Sequence, residues 1–283
     1  MDSSSSCGIK QLQKDCYYEW MSIQAKHIVN LNEALMNQRS NSDDHHKLEE
    51  LVGIIVNDFQ RYAEKRSELS DKSCSNYFAP SWNSSLENSF LWMGGCRPTS
   101  FIRVIYALVI YALCGSQTET HISQYFQKVD GSENVDESDG FMSELTGMQL
   151  GKINDLHLKV IKKEDKITKK YAIMQEDVAD MPIAITAYSR DFVEAGEAVE
   201  DAIDKHEEGM AVLMAEADKL RIETLKKIVE VLTPVQAAEF LLAEKRLHVS
   251  LHEWGRVREE RRFCSASADA VAGAGQSKRS ATC

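Results

Sequence analysis

The run WMGGCRPTSFIRVIYALVIYALCG, Trp92 to Gly115, limits what this chain can fold into more than any other stretch. From Val104 to Cys114 no residue is charged, so a helix built from it is apolar on every face apart from the hydroxyls of Tyr106 and Tyr111. Such a helix has to be covered. Eleven residues reach about half of the roughly 20 that a bilayer crossing needs, so the cover is expected to come from protein. Thr99 or Ser100 after Pro98 reads as the helix cap, and Gly115 as its left-handed end. The pentapeptide VIYAL occurs twice in succession, at 104–108 and 109–113. Five residues turn a helix by about 140° beyond a full turn, so the two copies cannot present the same face.

The flanking segments supply the cover. Only four prolines and fourteen glycines interrupt 283 residues that are 43% hydrophobic and 27% charged, a composition suited to long helices. The expected fold is all-α: a multi-helix bundle with a central apolar helix and a long antiparallel helix pair in the C-terminal half. A first helix over about 9–38 carries Leu12, Cys16, Trp20, Ile23, Leu31 and Leu35 at spacings of three and four, with His27 filling a gap. A second, capped by Asp43 or Asp44, carries Leu48, Leu51, Val52, Ile55, Phe59, Tyr62 and Leu69. Residues 73–85 lose the helical period but keep Tyr77, Phe78 and Trp82, which predicts an ordered loop, and Ser84 with Glu87 forms a capping box. A short helix with Ile122, Tyr125, Phe126 and Val129 is expected next, then a flexible acidic loop over 130–140.

In the C-terminal half, Leu150, Ile153, His157, Val160, Glu164, Ile167, Tyr171, Met174, Val178 and Met181 form one seam, which Pro182 ends or bends. Val199, Ile203, His206, Met210, Leu213, Ala217, Leu220, Thr224, Ile228 and Val231 form a second. Thr233, Pro234 and Gln236 open a last helix that is expected to stop at Gly255, with RVREERRFC at most a brief extension. The chain thus reads as a disordered N-terminus over 1–8, one domain over 9–262 and a tail over 263–283 without means to form a core.

Several functions are disfavoured. A net charge of −11 opposes direct nucleic-acid binding, which draws on Lys and Arg displacing counterions. No segment is long and apolar enough for a membrane anchor, and the opening residues carry no signal-peptide run. Seven scattered cysteines suit reduced thiols, with Cys74, Cys96 and Cys114 as core residues. No nucleophile elbow, zinc-binding helix, P-loop or dinucleotide fingerprint is present, so an enzyme is not expected.

Three constellations remain. His248 and His252 are four apart on one helical face, a spacing that lets two imidazoles share a metal or lets one ligate a haem iron while the other acts from behind it. Packing of both against the stripe of Phe240, Leu247 and Leu251 is the plainer alternative. In DCYYEW, Cys16 and Trp20 face the core, and Asp15, Tyr18 and Glu19 are left for solvent or a partner. RVREERRF, with Arg256, Arg258, Arg261 and Arg262, is either a weak nuclear-import patch or a solvated helix end.

The stretches YYEWMSIQ, SNYFAPSWNSSLENSFLWMGGCRPTSF, YALCGSQTE, ITKKYAIMQEDVADMPIA and KRLHVSLHEWG together resemble the plant Delay of Germination family, the DOG-domain regulators of seed dormancy, over about Gln11 to Arg262. That resemblance implies a non-enzymatic regulator of germination in abscisic-acid signalling, in the nucleus or also the cytoplasm. It implies binding and restraint of type 2C protein phosphatases through Asp15, Cys16, Tyr17, Tyr18, Glu19 and Trp20. It also implies haem held by His248 and His252, and self-association as a homo-oligomer. Cys16, Tyr18 and the doubled VIYAL depart from the family pattern. The alternative is a transcriptional co-regulator docking bZIP-type factors, because TGA-class factors share the domain.

Overall fold

A computed structural model describes residues 3–40, 45–70, 73–114, 141–180, 183–188 and 196–276. Helices α1 (Ser3–Ser40), α2 (His45–Ser70), α3 (Ser75–Phe78), α4 (Ser85–Asn88) and α5 (Pro98–Cys114) are followed by a 3-10 turn at Phe141–Glu144. Helices α6 (Gly147–Asp177), α7 (Ile183–Tyr188), α8 (Glu197–Val231) and α9 (Pro234–Gln276) complete the chain. The fold is all-α, and the described residues contain no strand beyond an isolated bridge between Trp92 and Gly95. α1 packs on α2 and α9, α2 on α8, and α8 on α6, while α5 is wedged against α6, α8 and α9.

The apolar helix is central at its start only. Phe101, Ile102 and Ile105 are buried among Val52, Ile55, Ile153, Val160, Leu225, Ile228 and Phe240. In the second VIYAL copy Ile110 is 59% exposed and Tyr111 38%, which corrects the expectation that the whole helix is covered. Ile110 repeats Ile105 but is rotated by about 140° from it and lies further along the axis. The expected short helix and acidic loop fall within residues 115–140, outside the described residues, as do Asp43 and Asp44. Cys74 is buried as expected, whereas Cys96 is exposed.

The start of α5 is stabilised by another helix, where a hydroxyl cap was expected. The Thr99 N–H donates to Glu164 Oε1 at 2.7 Å, the Thr99 hydroxyl to Oε2 at 3.2 Å, and Arg97 Nε to Oε2 at 2.7 Å. Glu164 therefore sits in the α6 seam at 1% exposure because its charge meets the positive end of α5 and a guanidinium.

Residues 73–97 are pinned by a buried ionic cluster. Arg66 reaches both Asp218 oxygens (3.0 and 2.9 Å) and the Gly94 carbonyl (2.7 Å). Arg221 bonds Asp218 (2.6 Å), the Cys96 carbonyl (2.6 Å), the Met93 carbonyl (3.0 Å) and the Trp92 carbonyl. Both guanidiniums also lie over aromatic rings, Arg66 over Tyr62 and Tyr77 and Arg221 over Trp92. The loop they hold turns left-handed at Met93 (φ 46°) and Gly94 (φ 68°). At Gly95 a Cβ would come within 2.9 Å of Arg221 Cζ, so glycine lets the backbone approach the cation.

The α6–α8 pair packs antiparallel along most of its two seams, with Lys170 on Glu216 and Lys163 on Glu223 along its flank and Gln149 on the Val231 carbonyl at its end; Val178 and Ile203, assigned to the seams, are each 45% exposed, and Met181 lies outside the described residues. α6 opens on a capping box between Thr146 and Gln149. α9 opens on the expected pair, Thr233 and Gln236. It does not stop at Gly255, which is buried mid-helix: a Cβ there would lie 1.9 Å from Ser84 Oγ, so the glycine serves close packing against α4.

Candidate functional site

The α1–α9 interface is built from buried polar side chains. The stripe of α1 that faces inward runs through Gln13, Cys16, Tyr17, Trp20, Gln24, His27, Leu31 and Leu35. Leu12, assigned to that stripe from the sequence, is 55% exposed; the amide beside it is buried instead. Gln13 Nε2 donates to the carbonyls of Leu69 and Ser73 (2.9 and 3.0 Å), and its oxygen accepts from Asn76 (2.9 Å), so it finishes the C-terminus of α2. His27 Nε2 meets Asp58 at 3.0 Å. Lys245 of α9, 2% exposed, sets its ammonium 5.1 Å over the Trp20 ring and bonds Glu244 at 2.9 Å.

Both histidines singled out from the sequence lie on this interface, each with Nδ1 held by a different partner. His252 Nδ1 is 2.8 Å from Glu87 Oε1, and the Tyr17 hydroxyl donates to the same oxygen at 3.0 Å. Glu87 Oε2 meanwhile accepts from the backbone and hydroxyl of Ser84 (both 2.8 Å), completing the capping box of α4. One carboxylate thus joins α1, α4 and α9. Burial pushes the Glu87 carboxyl up, but the bonds from His252 and Ser84 outweigh it and bring it down to about 2. The Glu87 hydrogen bond raises His252, against the opposing effect of burial. Burial, reinforced by the neighbouring Glu87 charge, raises Tyr17, so its hydroxyl stays a donor.

His248 differs. Its Nδ1 is 2.9 Å from Gln24 Nε2 and 3.1 Å from Oε1, so an amide that can donate or accept sets its tautomer. Burial lowers its pKa. On His252 the carboxylate fixes Nδ1 as the donor and leaves the Nε2 lone pair for a ligand, the arrangement found behind metal-bound imidazoles. The donor chemistry would suit His252 as a ligand to haem iron, with His248 one turn away. Enclosure does not fit equally well: the neighbouring cleft, lined by Ser85, Leu86, Ser89, Gly255, Arg258, Glu259 and Arg262, holds about 200 Å³, less than a macrocycle needs. Among the described residues no group of three or more His, Cys, Asp or Glu could hold a bare metal ion.

The six residues of DCYYEW divide sharply. Cys16, Tyr17 and Trp20 are buried, Trp20 stacking on Tyr62 at 4.7 Å between ring centroids. Asp15, Tyr18 and Glu19 are exposed on adjacent turns, with Gln11 donating to Asp15 (2.7 Å), Lys65 to Glu19 (2.6 Å) and Lys14 poised over Tyr18. Of the arginine patch, Arg256 is taken up by Glu253 and Glu260 on its own helix. Gln24, Glu87 and Lys245 were not found from the sequence. Only Glu87 carried a signal, its capping box, and nothing in that signal pointed to a histidine 165 residues away.

Protein DOG1-like 3 of Arabidopsis thaliana is 69% identical over 98% of this chain and 98% of its own. The profile described as DOG1, seed dormancy control, matches residues 27–107. This chain belongs to the DOG1 family. Protein DOG1-like 2 of the same plant is 65% identical over 92% of the chain and 96% of its own length. A distant likeness, 21% identity over 85% of the chain and 54% of the relative, reaches Arabidopsis transcription factor TGA7. Membership of a seed-dormancy control family supports a role as a regulator of dormancy.

Proposed function

We propose that this DOG1-family protein is a non-enzymatic regulator that delays germination in abscisic-acid signalling, acting in the nucleus by docking a type 2C protein phosphatase and keeping it from its substrates. The observation that carries the reading is the division within DCYYEW. Asp15, Tyr18 and Glu19 offer two carboxylates and a phenol on one ridge, while Cys16, Tyr17 and Trp20 hold that ridge in place from beneath. Contact is thus assigned to the first three and support to the second three. Replacing Asp15, Tyr18 and Glu19 together by Ala is expected to weaken phosphatase capture by about tenfold or more with helicity unchanged. Trp20→Ala is expected to lose capture through unfolding, with a stability loss of about 3–5 kcal/mol. Wild-type capture by the triple variant would overturn the assignment.

Haem is proposed as a ligand of the same protein, held at the surface of α9 by His252, with Glu87 orienting the imidazole and His248 secondary. Bound haem supplies an iron that accepts the imidazole nitrogen. In a haem titration, His252→Ala is expected to lose the Soret shift and His248→Ala only part of it. A second reading, a co-regulator docking bZIP-type factors, is favoured by the likeness to TGA7; recovery of such factors without phosphatase from nuclear extracts would select it.

A further inference from the structure

The outer face of α6 gathers lysines on one side of a helix in an otherwise acidic chain. Seven lysines lie on α6. Lys163 and Lys170 are paired with Glu223 and Glu216 of α8. The other five, Lys152, Lys159, Lys162, Lys166 and Lys169, are exposed, and no described carboxylate comes within ion-pair distance of them. Elsewhere bases are paired, as Lys65 is with Glu19, Lys227 with Glu230 and Arg256 with two glutamates, or stand apart from one another, as Lys26 and Lys219 do, so it is the clustering of five on one helix face that sets α6 apart where 44 acids face 33 bases. The five ammoniums run along about 25 Å of helix at 1.5 Å per residue. Asp155 and Asp165 lie on the same solvent side and reduce but do not cancel the charge, and Leu158 (61% exposed) and Ile173 (59%) interrupt it with apolar surface.

From this we infer that the outer face of α6 is a docking surface for an acidic amphipathic helix of a partner protein. From Lys159 to Lys169 a lysine falls every three or four residues, with Lys152 two turns before, which matches carboxylates spaced the same way on an opposing helix, and Leu158 and Ile173 give that helix apolar footholds. Two other polyanions fit less well. A net charge of −11 repels a nucleic-acid backbone or an anionic bilayer at long range, whereas a short acidic helix feels mainly the local lysines.

The test uses the full chain and a fluorescein-labelled helical peptide of about 20 residues, made of Glu, Leu and Ala with Glu at alternating spacings of three and four. Its companions are a peptide of the same composition in scrambled order, a single-stranded oligonucleotide, and vesicles of phosphatidylserine and phosphatidylcholine. The patterned peptide is expected to bind more tightly than all three. Its affinity should fall about tenfold or more in the variant Lys159→Glu/Lys162→Glu/Lys166→Glu/Lys169→Glu, and less in the corresponding Gln variant. These side chains are exposed, so the helical circular dichroism of both variants should match wild type. Equal binding of the scrambled peptide, tighter binding of the oligonucleotide or vesicles, or an undiminished affinity of the charge-reversed chain would each overturn the proposal. Binding that appears only after deletion of residues 130–140 would also overturn it, because the acidic stretch of the chain itself would then be the occupant.

Discussion

The α6–α8 pair and the α1–α9 interface join long helices by opposite means. Between α6 and α8 the contact is a row of side chains such as Ile153, Val160, Ile167, Leu213, Ala217 and Leu220, whose burial depends on volume and tolerates small shifts of register. Between α1 and α9 it is a set of directed bonds, Gln24 to His248, Tyr17 and His252 to Glu87, and Arg246 to Asn32. A seam gains stability in proportion to area, at about 25 cal/mol per Å². A buried polar junction gains little net energy but loses heavily when one partner is removed, because the group left behind is unsatisfied. The α1–α9 interface is therefore the more specific of the two and the easier to break, which suits the surface where both proposed ligands converge.

The strongest challenge to that contrast is the ionic cluster that joins α8 to α2 and to the loop at 92–96. Asp218→Ala leaves Arg66 and Arg221 buried without a counter-charge and is expected to cost about 3–5 kcal/mol in urea unfolding, more than truncating any single hydrogen-bonding residue of the junction. A loss below 1 kcal/mol would mean that the carbonyls of Trp92, Met93, Gly94 and Cys96 suffice to hold both cations.

Next comes Glu87→Gln, expected to cost about 1–3 kcal/mol and to lower the His252 pKa observed by NMR. The sign of the pH dependence follows from the shifts. With Glu87 held at about 2, its stabilisation is present above its unfolded value near 4.3 and disappears as pH falls toward 2. The raised His252 contributes fully below its unfolded value near 6.5, and this is lost as pH rises through the folded value. Burial lowers His248 and His27, so their protonation opposes folding as pH drops below about 6.5. Glu87→Gln should flatten the first two dependences, leave that of His27 and lower His248 further, because the Glu87 charge opposes the effect of burial there.

The smallest effects separate the regions by sign. Gly255→Ala places a methyl group against Ser84 and is expected to destabilise by about 1–3 kcal/mol. Gly151→Ala in α6 meets nothing within 4 Å and is expected to stabilise by about 0.5–1 kcal/mol, the usual helical preference for alanine. Paired thermal melts of the two variants read both.

The sequence by itself determined the all-α class, the middle of the two C-terminal seams, the capping boxes at Ser84 and Thr233, and the burial of Trp20, because each is a pattern within a few neighbouring residues; the seam ends at Val178 and Ile203 are exposed. It overstated the apolar helix, since hydrophobicity says that cover is needed and not how far neighbouring helices extend; hence the exposed Ile110 and Tyr111. It placed Leu12 inside and overlooked Gln13 and Gln24, because an amide reads as surface until its carbonyl partners are known. It took Gly255 for a stop when that glycine admits Ser84. Only the tertiary structure could decide these points. Whether a buried polar group is stabilising depends on a partner that lies 56 residues away for Gln13 and 224 for Gln24, and helical periodicity carries no information over that distance.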